Sequence, residues 1–275
     1  MSPEKPLAAD DPASGAPYRQ APAATSTENI LQTHGLTKDF RGFVAVKAVN
    51  LGIRRHSIHA LIGPNGAGKT TCFNLLTKFL RPSAGKIVYR GIDITHHKPA
   101  QVARLGLVRS FQISAVFPHL TVLENVRIAL QRTRGRSFDF WRSAGVLEEF
   151  HPRALELLEA VGLAEFAATR AVELSYGRKR ALEIATTLAL DPETMLLDEP
   201  MSGMGHEDVG RIAALIKKIS ANRTIIMVEH NLSVVADLCD KITVLARGEI
   251  LAEGDYATVS RNPEVVQAYM GTAHA

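Results

Sequence analysis

Cysteine is scarce in this chain of 275 residues: only Cys72 and Cys239 occur, with no paired metal-ligand spacing around them. A disulfide framework and a cysteine-rich metal site are therefore disfavoured, and free buried thiols in predicted helices, in a reducing cytoplasm, are the expectation. Long hydrophobic runs are also missing. None approaches the ~18 to 20 residues needed to cross a bilayer, and even residues 181–197 are interrupted by Glu183, Asp191 and Glu193. If the protein moves a solute, separate membrane subunits must form the pathway. No apolar segment of a signal peptide stands in residues 1–28, which hold Glu4, Asp10, Asp11 and five prolines and read as a disordered N-terminal tail. Charge of one sign is not in large excess either: the formal net charge of +4 names no polyanionic partner. Arg132, Arg134, Arg136 and Arg142 surround Phe138, Phe140 and Trp141. A solvated loop with an aromatic anchor accounts for that cluster better than a nucleic-acid or anionic-membrane surface. His96-His97 likewise reads as loop, not metal site.

Hydrophobic residues are plentiful at 46%, enough for one large domain or a core with an inserted subdomain. Residues 30–62, including Val44 to Ile53, read as strands, and Lys86 to Thr95 as a hairpin turned by Arg90-Gly91. Residues 113–180 lack strand signals and carry helical periodicity, as in Arg153 to Val161, so an inserted helical subdomain is expected there. Lys241 to Leu245, a turn at Arg247-Gly248-Glu249 and Ile250 to Ala252 read as a final strand pair. The folded part is expected over residues 29–272, with no appended regulatory domain.

The segment Gly63-Pro64-Asn65-Gly66-Ala67-Gly68-Lys69-Thr70 is the sharpest motif. An apolar strand, Ile58 to Ile62, precedes it and an apolar-periodic helix, Thr71 to Leu80, follows it, which is the context a phosphate-binding P-loop requires. Small residues let backbone N–H groups close around an anion, and the first helical turn adds unpaired donors and the positive end of the helix dipole. Lys69 is expected to reach the β and γ phosphates of a nucleotide, Thr70 to ligate Mg²⁺, and Thr71 to complete the cradle.

Three further strand ends supply chemistry at the same sheet edge. Thr194 to Leu197 ends in Asp198-Glu199-Pro200. In a doubly wound sheet, ligands sit beyond the carboxyl ends of the strands, so Asp198 can reach Mg²⁺ and Glu199 can accept a proton from the attacking water. Thr224 to Val228 ends in Glu229-His230-Asn231, making His230 a candidate γ-phosphate contact. Leu107 to Gln112 is a short strand whose Gln112 amide is suited to contact Mg²⁺ or orient water. A second potential anion site starts the helix of residues 181–190, where Ser175 is a good N-cap and Gly177 bares the backbone.

In that order, the P-loop, Gln112, Leu174 to Lys179, Leu197 to Pro200 and His230 resemble the ATP-binding subunits of ABC transporters, over roughly residues 30–272. The resemblance implies an α/β fold: a P-loop NTPase with a mostly parallel RecA-like core sheet, an N-terminal antiparallel β subdomain and the inserted helical subdomain. It implies ATP and Mg²⁺ as cofactors and a head-to-tail pair of nucleotide-binding domains, in which Ser175 and Gly177 of one chain face the γ phosphate held by Lys69 of the other. Phe40 falls where the family places an aromatic on adenine, the competing reading being a core residue of a strand face. Tyr176, Val228 to Val235 and the ending Asn262 to Gly271 are similar to the ATPases of branched-chain (hydrophobic) amino acid importers.

That subgroup implies a second ABC subunit, as a heterodimer or a homodimer, two transmembrane permease subunits docked beside Gln112, and an external solute-binding protein. It implies no nucleic acid, and a peripheral location at the cytoplasmic face of a bacterial inner membrane. Two departures stand out: Arg178 where the family often has Gln, and Gly205 where a loop Asp or Asn is common. A lipid or lipopolysaccharide exporter ATPase is the alternative within transport. A soluble ABC ATPase of chromosomes, DNA repair or ribosomes is the alternative outside it.

Overall fold

Strands buried along their whole length need cover on both faces, and the fold of this chain is organised around three of them. The structure is a computed structural model that describes residues 29–110, 116–131 and 148–270. Strands β1 (Asn29–Phe40), β2 (Phe43–Val49) and β3 (Gly52–Arg54) come first, then β4 (Ile58–Ile62) and helix α1 (Lys69–Leu76). After β5 (Ala84–Tyr89) and β6 (Ile92–Asp93) come α2 (Pro99–Arg104) and β7 (Leu107–Ser110). Helices α3 (Val122–Gln131), α4 (His151–Ala160) and α5 (Tyr176–Leu188) lead to β8 (Thr194–Asp198), α6 (His206–Ser220), β9 (Thr224–Val228) and α7 (Leu232–Leu238). The described chain closes with β10 (Lys241–Ala246), β11 (Glu249–Gly254), α8 (Tyr256–Ser260) and α9 (Pro263–Met270).

One sheet has the order β11-β10-β4-β9-β8-β7, parallel apart from the antiparallel edge strand β11. Every residue of β4, β8 and β9 is buried, as expected of parallel strands covered on both faces. Side chains alternate between two cores. Ile58, Ala60, Ile62, Met195, Leu197, Ile225 and Met227 face the cluster that includes α3 to α7. Leu61, Leu196, Ile226, Val228 and Leu245 face α1 and the second sheet. That second sheet is antiparallel, in the order β2-β1-β5-β6 with β3 on β1. Among the described residues of the helical segment, Val122, Val126, Ala154 and Leu158 join the cluster beneath the parallel sheet.

Three hairpins turn on Arg-Gly pairs: Arg41-Gly42, Arg90-Gly91 and Arg247-Gly248 all have positive φ at both residues. Two positive φ values define the type I′ turn, whose twist matches that of the flanking strands. Some boundaries differ from the sequence reading. The stretch Val44 to Ile53 is divided at Asn50-Leu51 into β2 and β3, and Ala48, with a φ of 48°, lies within β2 where its register against β1 slips. Helix α1 stops at Leu76, not Leu80: Lys78 is left-handed and its N–H returns to Leu75 O at 3.2 Å, a Schellman-type end. Cys72 lies inside α1, as expected, whereas Cys239 caps α7 from just beyond its end. Both are free thiols, and burial pushes each up to about 12.

Candidate nucleotide site

The loop after β4 wraps back over its own helix. Gly63 and Gly68 have φ of 146° and 98°, and a Cβ at either would lie 2.1 Å from Leu245 O or 2.4 Å from Ala45 O. Neither position tolerates a side chain, for reasons of both conformation and space. The close approach to Ala45 fixes β2, and hence the β1–β2 hairpin tip, beside the loop. Lys69, the first residue of α1, donates its ammonium to Gly63 O at 2.7 Å and Pro64 O at 2.9 Å. Burial lowers its pKa and the Glu199 carboxylate opposes that shift, which places the two charges in one field. Asn65, Gly66 and Thr70 face solvent at the mouth. From the other end of the chain, Tyr269 in α9 hydrogen-bonds the Gly63 backbone through its phenol.

Asp198 ends β8 and is buried. Its carboxylate pairs with Arg109 of β7, whose guanidinium also donates to Asn74 Oδ1 at 2.5 Å on α1. Its carbonyl accepts from Arg180 of α5 at 3.0 Å, and Arg180 is itself paired with Glu183 at 2.5 Å. Glu199 follows with a left-handed φ of 44°. A non-glycine residue held there costs about 1–3 kcal/mol, the kind of strain that concentrates at functional sites. The turn swings the Glu199 carboxylate onto His230, with Oε1 2.9 Å from the imidazole Nε2. An ionised carboxylate only accepts, so the Nε2–H donates. Behind the pair, buried Glu229 accepts from Met201 N–H at 3.0 Å and His230 N–H at 3.1 Å, and burial raises its pKa.

Ser175 caps α5, its hydroxyl accepting from Arg178 N–H at 3.5 Å. Ser175 and Tyr176 are exposed, but Gly177 is not bare as the sequence reading had it. It packs on Asp208 at the start of α6, where a Cβ would meet Asp208 Cγ at 2.4 Å. Arg178 stacks 4.1 Å over the Phe166 ring. Phe40 is 43% exposed at the tip of the β1–β2 hairpin, which removes the core reading. It stands opposite Phe43 in register, with Lys38 5.0 Å over its ring. Gln112 lies outside the described residues, as do the Arg132 to Arg142 cluster and residues 1–28.

The structure thus brings Gly63 to Thr71, Asp198, Glu199 and His230 to the carboxyl edge of one sheet, as the sequence predicted, and places Ser175 and Gly177 on a separate helix start. Sequence reasoning gave no role to Arg109, Arg180 or Glu229. A charged residue inside or at the end of an otherwise apolar strand was the available signal for Arg109 and Glu229. A cleft of about 520 Å³ opens along the edge strand β7, lined by Phe79, Ala103, Arg109, Phe117, Ile128 and Thr187 among others. Among the described residues no helix is long and apolar enough to cross a membrane.

Comparison with known proteins adds identity to the geometry. The family described as ABC transporter matches residues 46–202, and that described as branched-chain amino acid ATP-binding cassette transporter matches residues 249–275. The chain is similar to the high-affinity branched-chain amino acid transport ATP-binding protein BraF of Pseudomonas aeruginosa: 38% identity over 254 residues, 89% of this chain and 98% of the relative. It is 37% identical to the corresponding LivG protein of Escherichia coli, over 90% of this chain and all of the relative. Among solved structures, the ADP conformation of MJ1267, an ATP-binding cassette of an ABC transporter, superposes with a TM-score of 0.79 at 30% identity, covering 89% of this chain and 100% of that one. The dimeric bacterial ABC transporter cassette MJ0796 gives 0.68 at 27% identity, covering 82% and 98%.

Proposed function

The chain belongs to the ABC transporter family of ATP-hydrolysing, ATP-binding subunits, and from that premise we propose that it powers uptake of branched-chain amino acids or a related small polar solute. The relatives' described role in high-affinity branched-chain amino acid transport supports the solute class. The pathway belongs to two separate permease subunits, with an external solute-binding protein delivering the solute. The chain sits peripherally on the cytoplasmic face of the membrane. A second ABC subunit completes the motor, and the heterodimer of the subgroup is the arrangement we favour. The cleft between α1, α2, β7, α3 and α5 supports docking of a permease helix, since its wall is mainly apolar and adjoins Arg109, three residues from Gln112.

The observation that carries the mechanism is the convergence of the phosphate loop, Asp198 and the Glu199–His230 pair on one sheet edge. Lys69 and the backbone of residues 63–68 hold the β and γ phosphates, and Thr71 completes that cradle. Phe40, exposed on a hairpin that β2 anchors beside the loop, stacks on adenine. Mg²⁺ suits the donor set, because the Thr70 hydroxyl and the Asp198 carboxylate are hard oxygen ligands and Arg109 orients the latter. When bound, the cation offsets charge on the phosphate oxygens. Glu199 takes a proton from water aligned on the γ phosphate, His230 fixes the Glu199 carboxylate and contacts that phosphate, and Gln112 aligns the water or the metal. Ser175 and Gly177 of the partner subunit's equivalent helix close the site, so ATP favours the closed pair over the open one.

The test uses Glu199→Gln. It should bind ATP, hold the pair closed and lower kcat on the order of 10²- to 10⁴-fold, the usual range for loss of a general base. Turnover equal to the parent's would sink the assignment of the base. Labelled-solute uptake with the co-purified permeases, with and without this chain, tests the solute class.

A further inference from the structure

We propose that Glu229 is a positioning residue for hydrolysis, a buried carboxylate that holds the base and its histidine in register by closing a ring of hydrogen bonds. The inference rests on the reading of Glu199 as the base. Starting at Glu199, the ring runs along the backbone to Met201, whose N–H donates to Glu229 Oε1 at 3.0 Å. It crosses the carboxylate to Oε2, which accepts from His230 N–H at 3.1 Å. From His230 it returns through Nε2 to Glu199 Oε1 at 2.9 Å. Glu199 N–H also donates to Val228 O at 3.0 Å, so β8 and β9 are tied directly beside the ring.

The physical need for such a brace is local. Glu199 sits at a left-handed φ of 44°, a conformation that relaxes unless its surroundings hold it. The loop after it, Met201 to Met204, bonds back on itself through Ser202 N–H to Glu199 O at 3.1 Å and Met204 N–H to Met201 O at 3.4 Å. Glu229 is the group that fastens this loop to β9. It is 4% exposed, and its carboxylate is met by backbone donors of Met201, His230 and Asn231. Those donors favour the ionised form against burial, and a neutral side chain of the same shape reproduces only part of the set.

Two variants, Glu229→Gln and Glu229→Ala, are assayed in the intact chain with its partner subunits, beside Glu199→Gln. ATP affinity, KM and kcat are measured well below each variant's Tm. Gln keeps one acceptor and turns an amide N–H toward a backbone donor, so kcat should fall in the order parent, Gln, Ala. The Ala value should be lower on the order of 10- to 100-fold, the scale of misplacing a catalytic group by about 1 Å. KM and ATP affinity should stay close to the parent's, because the phosphate loop is not in the ring. Parent-like kcat in folded variants, or ATP affinity lost in step with kcat, overturns the proposal. If Ala does not fold, Gln alone decides by the same split. Parent-like turnover in Glu199→Gln defeats the base assignment itself, whereas a dead Glu199→Gln with parent-like Glu229 variants defeats only this inference.

Discussion

The two ends of the parallel sheet carry polar residues for opposite purposes. At the amino ends of the strands, polar groups consume one another. Glu193, just ahead of β8, pairs with Arg55 and with Arg90 at 3.0 Å, Tyr89 donates to Thr194 at 3.2 Å, and Asp240 accepts from Ile58 N–H at 2.8 Å. His59 in β4 sits 2.8 Å from Thr243, which donates to Glu253 at 2.8 Å. At the carboxyl ends, Lys69 binds carbonyls of its own loop, and Glu199, on backbone bent to a φ of 44°, meets the exposed His230 beside the open mouth of that loop. The same strands therefore spend charge on stability at one end and keep it available for a ligand at the other.

If this division is real, damage at the two ends should separate binding from stability. Lys69→Ala should weaken ATP binding on the order of 100-fold, since truncating one partner of a desolvated charge pair costs about 2–5 kcal/mol, with little change in Tm. Nucleotide titration and a thermal melt on the same sample check this, and unweakened binding breaks the comparison. Glu193→Ala should do the reverse, leaving two arginines without their carboxylate. The pairs are partly exposed, so about 2 kcal/mol of stability is expected to go, below the usual range for a fully buried pair. ATP affinity at low temperature should not move.

His59 sharpens the contrast through pH. Burial lowers its pKa to about 4, from 6.5. The unfolded chain takes up the proton as pH falls below 6.5 and the folded chain does so only near 4, so stability is lost across that window. The slope is about 1.4 kcal/mol per pH unit and the total on the order of 3 kcal/mol. Urea melts of the parent and His59→Gln at pH 7.5 and 5.5 check it, the variant losing less on acidification. The smallest effect is expected at Lys78, buried, left-handed at φ 65° and lowered to about 8 by its burial, with no hydrogen bond to its ammonium among the described residues. Lys78→Gly should raise stability by about 1 kcal/mol, because glycine occupies that helix-ending conformation without strain. Calorimetry decides the sign.

Much of the carboxyl edge was legible because each part is local. The glycines, Lys69 and Thr70 lie in one eight-residue window, and Asp198-Glu199 and His230 each follow an apolar run whose burial was evident from composition. The hairpin turns at Arg90-Gly91 and Arg247-Gly248 were legible for the same reason. The register slip within β2 at Ala48 was not, since a left-handed alanine leaves no mark on an apolar run. Nor was the packing of Gly177 on Asp208, or the exposure of Phe40, because neighbours distant in sequence settle both.

Local spacing thus determined which chemistry this protein carries: a nucleotide-binding loop, a carboxylate pair and a histidine, each set by backbone geometry within a few residues. Only the tertiary structure decided how they cooperate. It placed Arg109 on Asp198, Arg180 on the Asp198 carbonyl and Glu229 between Met201 and His230, contacts across separations that periodicity does not encode. A hydrogen bond depends on where folded strands bring two atoms, and that position follows from packing the whole sheet rather than from any one segment.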